Sequence, residues 1–425
     1  MIHVVGLGLC PEHRSPELLR LVRSASTVAG GRKTLDEMGI EKGRRLALTS
    51  MARFSADLRS RAAESAGDIC VLADGDPLLF GIGASLLRFF DPDELTFHPN
   101  VSALQAACAR LGLPWHDCTA LSLHGREDLG PLFAALTHGR LAALYTDARM
   151  SPDAVARLLL DRGVTGWRMH VAEALCSPGE RLTTATLAEA AQRSWHPLNI
   201  VVLERTETPP VTLALGLDEG ALAREDGLMT KQPVRALALS LLRLAPDSVL
   251  WDLGAGSGAV SLEAARLLTR GRVVAVERRA GRAAQVRDNV ARTGAWLVEV
   301  AESSLEDFLN DRMREASEAA QARTGDTPES APRPDAPTHV FLGGGASAPV
   351  LLSCAGLLRP GGRMVVAAVL LSTLETARSV IEELGWPLAV HQLMHHAGAP
   401  LGNDLRLVPS NPVFLLATQK PSSDT

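Results

Sequence analysis

Val249-Leu250-Trp251-Asp252-Leu253-Gly254-Ala255-Gly256-Ser257-Gly258 runs directly into Ala259-Val260-Ser261-Leu262-Glu263-Ala264-Ala265. A short apolar run ends in an acid, crosses three glycines at alternate positions, and becomes an alanine-rich helical pattern. That order predicts a buried parallel strand, a tight turn and a helix N-terminus. Glycines permit positive φ and let a ligand lie against the backbone, where a Cβ would stand in the way. The spacing is G-x-G-x-G and not the G-x-G-x-x-G of dinucleotide sites. A second acid closes the next apolar run, Arg272-Val273-Val274-Ala275-Val276-Glu277.

A carboxylate at that second position can accept hydrogen bonds from both hydroxyls of a ribose. Asp252, the glycine turn and Glu277 together look like the S-adenosylmethionine site of a Rossmann-like methyltransferase. A glycine turn in another α/β sheet, including that of an NAD enzyme, is the competing reading.

Outward from this stretch, 425 residues exceed one ordinary core and predict two domains. The net charge of −5 supplies no basic field and the aromatics are few, so no nucleic-acid partner is expected. No apolar run reaches the roughly eighteen residues that span a bilayer, so no membrane partner is expected. The chain opens on Ile2-His3-Val4-Val5-Gly6-Leu7-Gly8, which reads as a strand, not a leader. Six scattered cysteines without a C-x-x-C pair suit thiols of a reducing cytoplasm, and no metal is expected. His391 and His395 are four apart, but on an extended segment that is about 13 Å, too far for one zinc ion.

Strand and helix signals alternate through the first half, an α/β pattern. Cys70-Val71-Leu72-Ala73-Asp74-Gly75-Asp76-Pro77 reads as a strand and an exposed turn, and Ser102 is placed to cap a helix running to Leu111. Glu204 to Pro210 is polar and ends in two prolines, a semi-rigid linker. The second half contains further strand patterns at Leu297-Val300, Thr338-Leu342, Arg363-Val369, near Val390 and at Val413-Leu416, the last two predicted to close the sheet with an antiparallel edge. Residues 316–337 lack any apolar period and predict a disordered insertion.

Two family resemblances follow. Residues 1–205 resemble the tetrapyrrole methylases through Val5-Gly6-Leu7-Gly8, Ala73-Asp74-Gly75-Asp76-Pro77, Val101-Ser102-Ala103, Ser122-Leu123-His124-Gly125-Arg126 and Pro197-Leu198-Asn199-Ile200. The Leu-His-Gly-Arg and Pro-Leu-Asn segments are similar to the precorrin carbon-5 methylases. The resemblance implies two α/β lobes around S-adenosylmethionine, with contacts at Leu9, Asp74, Gly75, Asp76, Leu79, Ser102, Ala103, Thr146 and Ala174. Leu9-Cys10 stand where that family usually continues with Pro-Gly. Residues 211–425, after a linker at 206–210, resemble the decarboxylating precorrin methylases that act at carbon 15. Met229-Thr230-Lys231, Pro233-Val234-Arg235, the glycine turn, Ala275-Val276-Glu277-Arg278 and Val340-Phe341-Leu342-Gly343-Gly344 carry that likeness. It implies a seven-stranded Rossmann-like domain and cofactor contacts at Thr230, Asp252, Gly254, Ala255, Gly256, Ser257, Gly258, Glu277, Leu305 and Gly343. The usual Gly-Asp-Ala after the third strand is replaced by Ser303-Ser304-Leu305, so an adenine contact there would come from backbone.

Together the resemblances imply a bifunctional, cytoplasmic, homo-oligomeric enzyme of corrin ring (cobalamin) synthesis with two S-adenosylmethionine sites and a precorrin tetrapyrrole substrate. A cobalt-containing precorrin stays open as substrate. An RNA- or protein-modifying methyltransferase carrying a tetrapyrrole-methylase-like domain is the reading from another class. A polyacidic macrocycle calls for cations: Lys231 and Arg235 on a lid-like helix, and His124 with Arg126, are the catalytic candidates. The arginines 282, 287 and 292 read as a solvated helix face from which an anionic substrate could use one or two.

Overall fold

The first strand shows why this chain folds as layers. In a computed structural model describing residues 1–64, 67–125, 128–223, 229–321 and 336–422, β1 (Ile2–Gly6) buries side chains on both of its faces. Val4 packs with Phe54, Leu58 and Val71, while Val5 packs with Val22, Val28 and Leu72. Alternate residues of a strand point to opposite faces, so an apolar run without polar interruptions belongs to a sheet covered on both sides.

Two compact units divide the chain: Met1–Gly125 with Ala143–Ala156 and Arg168–Glu204, and Arg126–Ala142 with Arg157–Trp167 and Arg205–Thr425. In the first, β1 is joined by β2 (Thr27–Gly30), β3 (Arg45–Ala47), β4 (Ile69–Ala73) and β5 (Leu95–His98) in a sheet ordered β3-β2-β4-β1-β5, with every pairing parallel. A second sheet, most of whose residues fall in the same unit, is ordered β6-β7-β10-β8-β9. Its strands are β6 (Cys118–Ser122), β7 (Leu141–Tyr145), β8 (Trp167–Glu173), β9 (Arg181–Thr186) and β10 (Asn199–Arg205). Glu173 and Arg181 face each other across β8 and β9, and two nitrogens of Arg181 donate to the buried carboxylate at 2.6 and 2.7 Å.

The second unit carries a seven-stranded sheet ordered β13-β12-β11-β14-β15-β19-β16. Its strands are β11 (Val249–Leu253), β12 (Arg272–Glu277), β13 (Val298–Glu302), β14 (His339–Leu342), β15 (Arg363–Ala368), β16 (Leu388–Leu393) and β19 (Val413–Gln419). The first five run parallel, and β19 lies antiparallel between β15 and β16. The strand order reverses between β11 and β14, and the crevice beyond the carboxyl ends at such a reversal is where open α/β sheets take ligands. The glycine turn follows β11 and Gly343 follows β14, so both stand at that crevice.

Two elements differ from the sequence reading. The helix Leu305–Gln321 covers the first six residues of the expected insertion, anchored by Phe308 and Leu309 in the core; residues 322–335 lie outside those described. A hairpin of β17 (His396–Leu401) and β18 (Asp404–Pro409) was not foreseen. Its strands are exposed and carry no alternation, although Gly402-Asn403, with Gly402 at φ 61°, is a two-residue turn of the kind that joins hairpins.

Candidate active sites

In the second unit the turn after β11 is tied to the end of β12. Gly254 and Ala255 N–H both donate to Val276 O at 3.0 Å, and Gly256 N–H donates to Glu277 Oε2 at 3.1 Å. Gly343 N–H donates to Leu253 O at 2.9 Å, which fixes the loop after β14 against the same turn. Gly256 has φ 60° and a Cβ built on it meets no atom within 4 Å, so that position opens into a cavity. Gly258 is glycine for another reason: at φ 79° its Cβ would strike Val286 Cγ1 at 2.7 Å, so it serves close helix packing.

Two adjoining cavities flank the turn and share Gly254, Gly256, Arg282 and Gly343. One, of about 300 Å³, is lined by Glu277, Arg278, Arg279, Ser303, Leu305 and Glu306. The other, of about 460 Å³, is lined by Thr230, Lys231, Val234, Ala255, Ser257, Val260, Val369, Ser410 and Asn411. Thr230, Gly254, Ala255, Gly256, Ser257, Glu277, Leu305 and Gly343 line one or both of these cavities. Glu277 is nearly buried and also accepts from Arg279 N–H at 3.0 Å, which aims its carboxylate along the cavity floor.

Three of the expected contacts do not line these cavities. Asp252 does not line either cavity. It is buried beneath the turn, where Oδ2 accepts from Ser261 Oγ at 2.5 Å and burial pushes its carboxyl up to about 6. Gly258 likewise packs behind the wall. Arg235 is wholly buried: it pairs with Glu263 Oε1 at 2.7 Å and donates to Thr230 O at 2.7 Å and Leu217 O at 2.6 Å. A guanidinium so enclosed cannot reach a substrate carboxylate; it locks the entry of the helix Gln232–Leu242 to the helix Ala259–Leu267. Lys231, one turn earlier, does reach the cavity, with Nζ held 2.9 Å from Glu219. Arg282, one of the helix-face arginines from which an anionic substrate could use one or two, lines both cavities.

In the first unit the loops after β1 and β4 are stitched by an antiparallel bridge of Gly8 and Gly75, both left-handed at φ 66° and 64°. A cavity of about 420 Å³ opens beside it, lined by Leu9, Asp74 and Ala103 together with Arg14, Thr34, Ala172, Cys176, Leu198 and Asn199. Of the expected contacts, Gly75, Asp76, Leu79, Ser102, Thr146 and Ala174 do not line it; they build it. Asp76 Oδ1 accepts from Leu78 and Leu79 N–H at 2.9 and 3.2 Å while Oδ2 accepts from Asn100 N–H at 3.2 Å, an anchor for the turn. Ser102 caps the helix Ala103–Leu111 in a reciprocal box with Gln105, as its sequence position predicts. Thr146 Oγ1 donates to Asn199 Oδ1 at 2.8 Å, and Ala174, left-handed at φ 46°, donates from its amide to Leu198 O at 2.8 Å. His124 is exposed beside Ser122 Oγ at 3.4 Å and does not line the cavity; its suggested companion Arg126 lies outside the described residues. Asn199 was quoted in the sequence as part of Pro-Leu-Asn, yet its place in the wall was missed.

Two sheet-borne crevices of this geometry, the second on a reversed seven-stranded order with a glycine turn and a second-strand acid, define a two-unit methyltransferase. Comparison with known proteins narrows the class. Residues 1–191 match the tetrapyrrole (corrin/porphyrin) methylases, and 221–317 with 310–420 match the precorrin methyltransferase domain. The precorrin-6Y C(5,15)-methyltransferase [decarboxylating] of Mycobacterium tuberculosis is 32% identical over 438 residues, covering 97% of this chain and 98% of the relative. Two proteins of Salmonella typhimurium are each 34% identical over about half of this chain. They are the cobalt-precorrin-7 C(5)-methyltransferase (48% of this chain, 98% of the relative) and the cobalt-precorrin-6B C(15)-methyltransferase (decarboxylating) (48% and 95%). The chain belongs to the precorrin-6Y C(5,15)-methyltransferase (decarboxylating) family. Among the described residues, no helix is long and apolar enough to cross a membrane.

Proposed function

We propose that the chain methylates precorrin-6Y at carbons 5 and 15 and removes the ring C acetate carboxyl as carbon dioxide, in corrin ring synthesis. Carbon 5 is assigned to residues 1–205 and carbon 15 with decarboxylation to 211–425, each with its own S-adenosylmethionine. The observation that carries the reading is the open space over Gly256 beside the Glu277 carboxylate, a cradle that a side chain at residue 256 would fill. The residues fit the cofactor: a buried carboxylate for ribose hydroxyls, backbone against which its chain can lie, and Leu305 as an apolar neighbour for a flat base.

Bound S-adenosylmethionine supplies an electrophilic methyl group on a sulfonium leaving group. The electron-rich macrocycle supplies the attacking carbon, so the protein's work is positioning and exclusion of water. Val234, Val260 and Val369 give the larger cavity apolar walls, while Lys231 and Arg282 set cations on its rim for the acetate and propionate groups of a polyacidic substrate. Lys231 is kept in place by Glu219, which limits the entropy lost on binding an anion. In the first unit, Leu9, Asp74, Ala103 and Asn199 surround the corresponding cavity, and His124 is proposed as a substrate contact at its exposed loop.

The test is incubation of the full chain with metal-free precorrin-6Y, and in parallel with its cobalt complex, and labelled S-adenosylmethionine. A product heavier by two methyl groups and lighter by carbon dioxide is expected. Mass change by one methyl group without decarboxylation would overturn the assignment. Equilibrium dialysis should find two cofactor molecules per chain, and saturation at one would refute the two-site reading.

A further inference from the structure

Three cysteine and histidine side chains far apart in sequence meet beside the first unit's cavity. Cys10 follows β1, His13 ends the short 3-10 turn Pro11–His13, and Cys176 follows β8. One ligand atom from each lies within 4.8 Å of the other two. The Cys10 thiol is buried, with the Cys176 thiol and the Glu12 carboxylate as its neighbours. Cys176 is held at φ 62°, a left-handed conformation unusual for a residue with a Cβ. Glu180 Oε2 accepts the Cys176 N–H at 2.6 Å, and Arg110 both donates to Glu180 at 2.9 Å and stands 4.0 Å from Cys176 Sγ. The turn is therefore tied down from both sides, and its sulfur is aimed at Cys10.

We propose that Cys10, His13 and Cys176 form a binding site for a thiophilic divalent cation of the zinc type, with a fourth position open to water or to the neighbouring Glu12 carboxylate. Two thiolates, an imidazole and one oxygen donor are a set that tetrahedral zinc accepts. Zn–S bonds of about 2.3 Å bring two ligated sulfurs within about 4 Å, so the loops need to close by no more than about 1 Å. Each thiol loses its proton to solvent as its bond to the cation forms.

Binding has a local consequence. His13 Nδ1 now accepts the Leu9 N–H at 3.1 Å. A neutral imidazole that ligates through one nitrogen carries its proton on the other, so coordination through either one releases Leu9. Leu9 and Cys176 both line the cavity, so the cation would join its two sides, one built from the loop after β1 and the other from the turn after β8.

The full chain, reduced and stripped with a chelator, is titrated with zinc and separately with cobalt(II). One zinc per chain by elemental analysis, and a thiolate-to-cobalt charge-transfer band in the near ultraviolet, are expected. Cys10→Ser and Cys176→Ser should each weaken zinc binding by at least about tenfold and remove the band, with circular dichroism unchanged. Glu12→Gln should weaken binding less and leave the band. Wild-type protein that retains no zinc beyond the Cys10→Ser/Cys176→Ser double variant, or gives no thiolate band with cobalt, overturns the site. So does a reduced protein whose only change at these cysteines is reoxidation to a Cys10–Cys176 disulfide. None of these readouts depends on methylation, so their failure leaves the proposed reactions standing.

Discussion

The two units build a cavity for the same kind of cofactor in different ways. In the second unit a single local stretch does most of the work: strand, glycine turn and helix are contiguous, and the turn's amides donate to Val276 O and Glu277. In the first unit no contiguous stretch does so. The wall is assembled from the loops after β1 and β4, the helix at Ala103, and the β8 and β10 ends, with a glycine bridge and the Asp76 anchor setting their spacing. A contiguous site depends on the conformation of a few residues; an assembled site depends on many contacts that each contribute little. Substitutions should therefore be abrupt in the second unit and graded in the first.

The sharpest way to break the comparison is Gly256→Arg. The backbone at φ 60° and the open space above it admit no long side chain without filling the cradle. Carbon-15 methylation should fall by about a hundredfold or more while carbon-5 methylation persists, and bound cofactor should drop from two equivalents to one. Product analysis by mass spectrometry with equilibrium dialysis reads both. Loss of both methylations in a folded variant would mean the two sites do not act separately.

Next in size is Arg235→Ala, which leaves Glu263 buried without its cation. Breaking such a pair costs about 3–5 kcal/mol, while Arg235→Met with Glu263→Leu should come close to wild type. Urea unfolding measures the stability. A stable Arg235→Ala protein with lost activity would restore Arg235 to the substrate.

Asp252 offers a pH signature. Its folded-state ionisation is raised to about 6, so between its ordinary value near 4 and 6 the native state binds more protons than the unfolded chain. Stability therefore falls as pH rises through that window, by up to about 3 kcal/mol. Asp252→Asn should lack this loss, and urea midpoints across pH 4–7 should diverge in favour of the variant as pH increases. Parallel curves would show that the carboxylate ionises freely in the folded protein.

The smallest effect is predicted for Asp76→Ala in the first unit. Losing a turn anchor that accepts three amide hydrogens should cost about 1–2 kcal/mol and weaken the first site only a few-fold. Cofactor titration of the Gly256→Arg background isolates that site. A complete loss of binding there would make the first site as abrupt as the second and end the contrast.

The sequence by itself determined what depends on neighbours along the chain. The buried run ending at Leu253, the glycine turn, the Ser102–Gln105 cap and the apolar strands of both halves are legible because backbone conformation and face periodicity are local properties. Hydrogen-bond ladders then complete a parallel sheet of the kind those runs require. Only the tertiary structure decided what each polar side chain meets. Arg235 read as a substrate cation until Glu263 and the Leu217 carbonyl came to it from elsewhere in the fold. Asp252 read as a ligand acceptor until Ser261 and burial claimed it. Cys10 and Cys176 read as scattered thiols although the fold sets them side by side. The reason is the same in each case: a residue's type gives the interactions it can make, but its desolvation and its partners come from segments whose arrival no local pattern encodes.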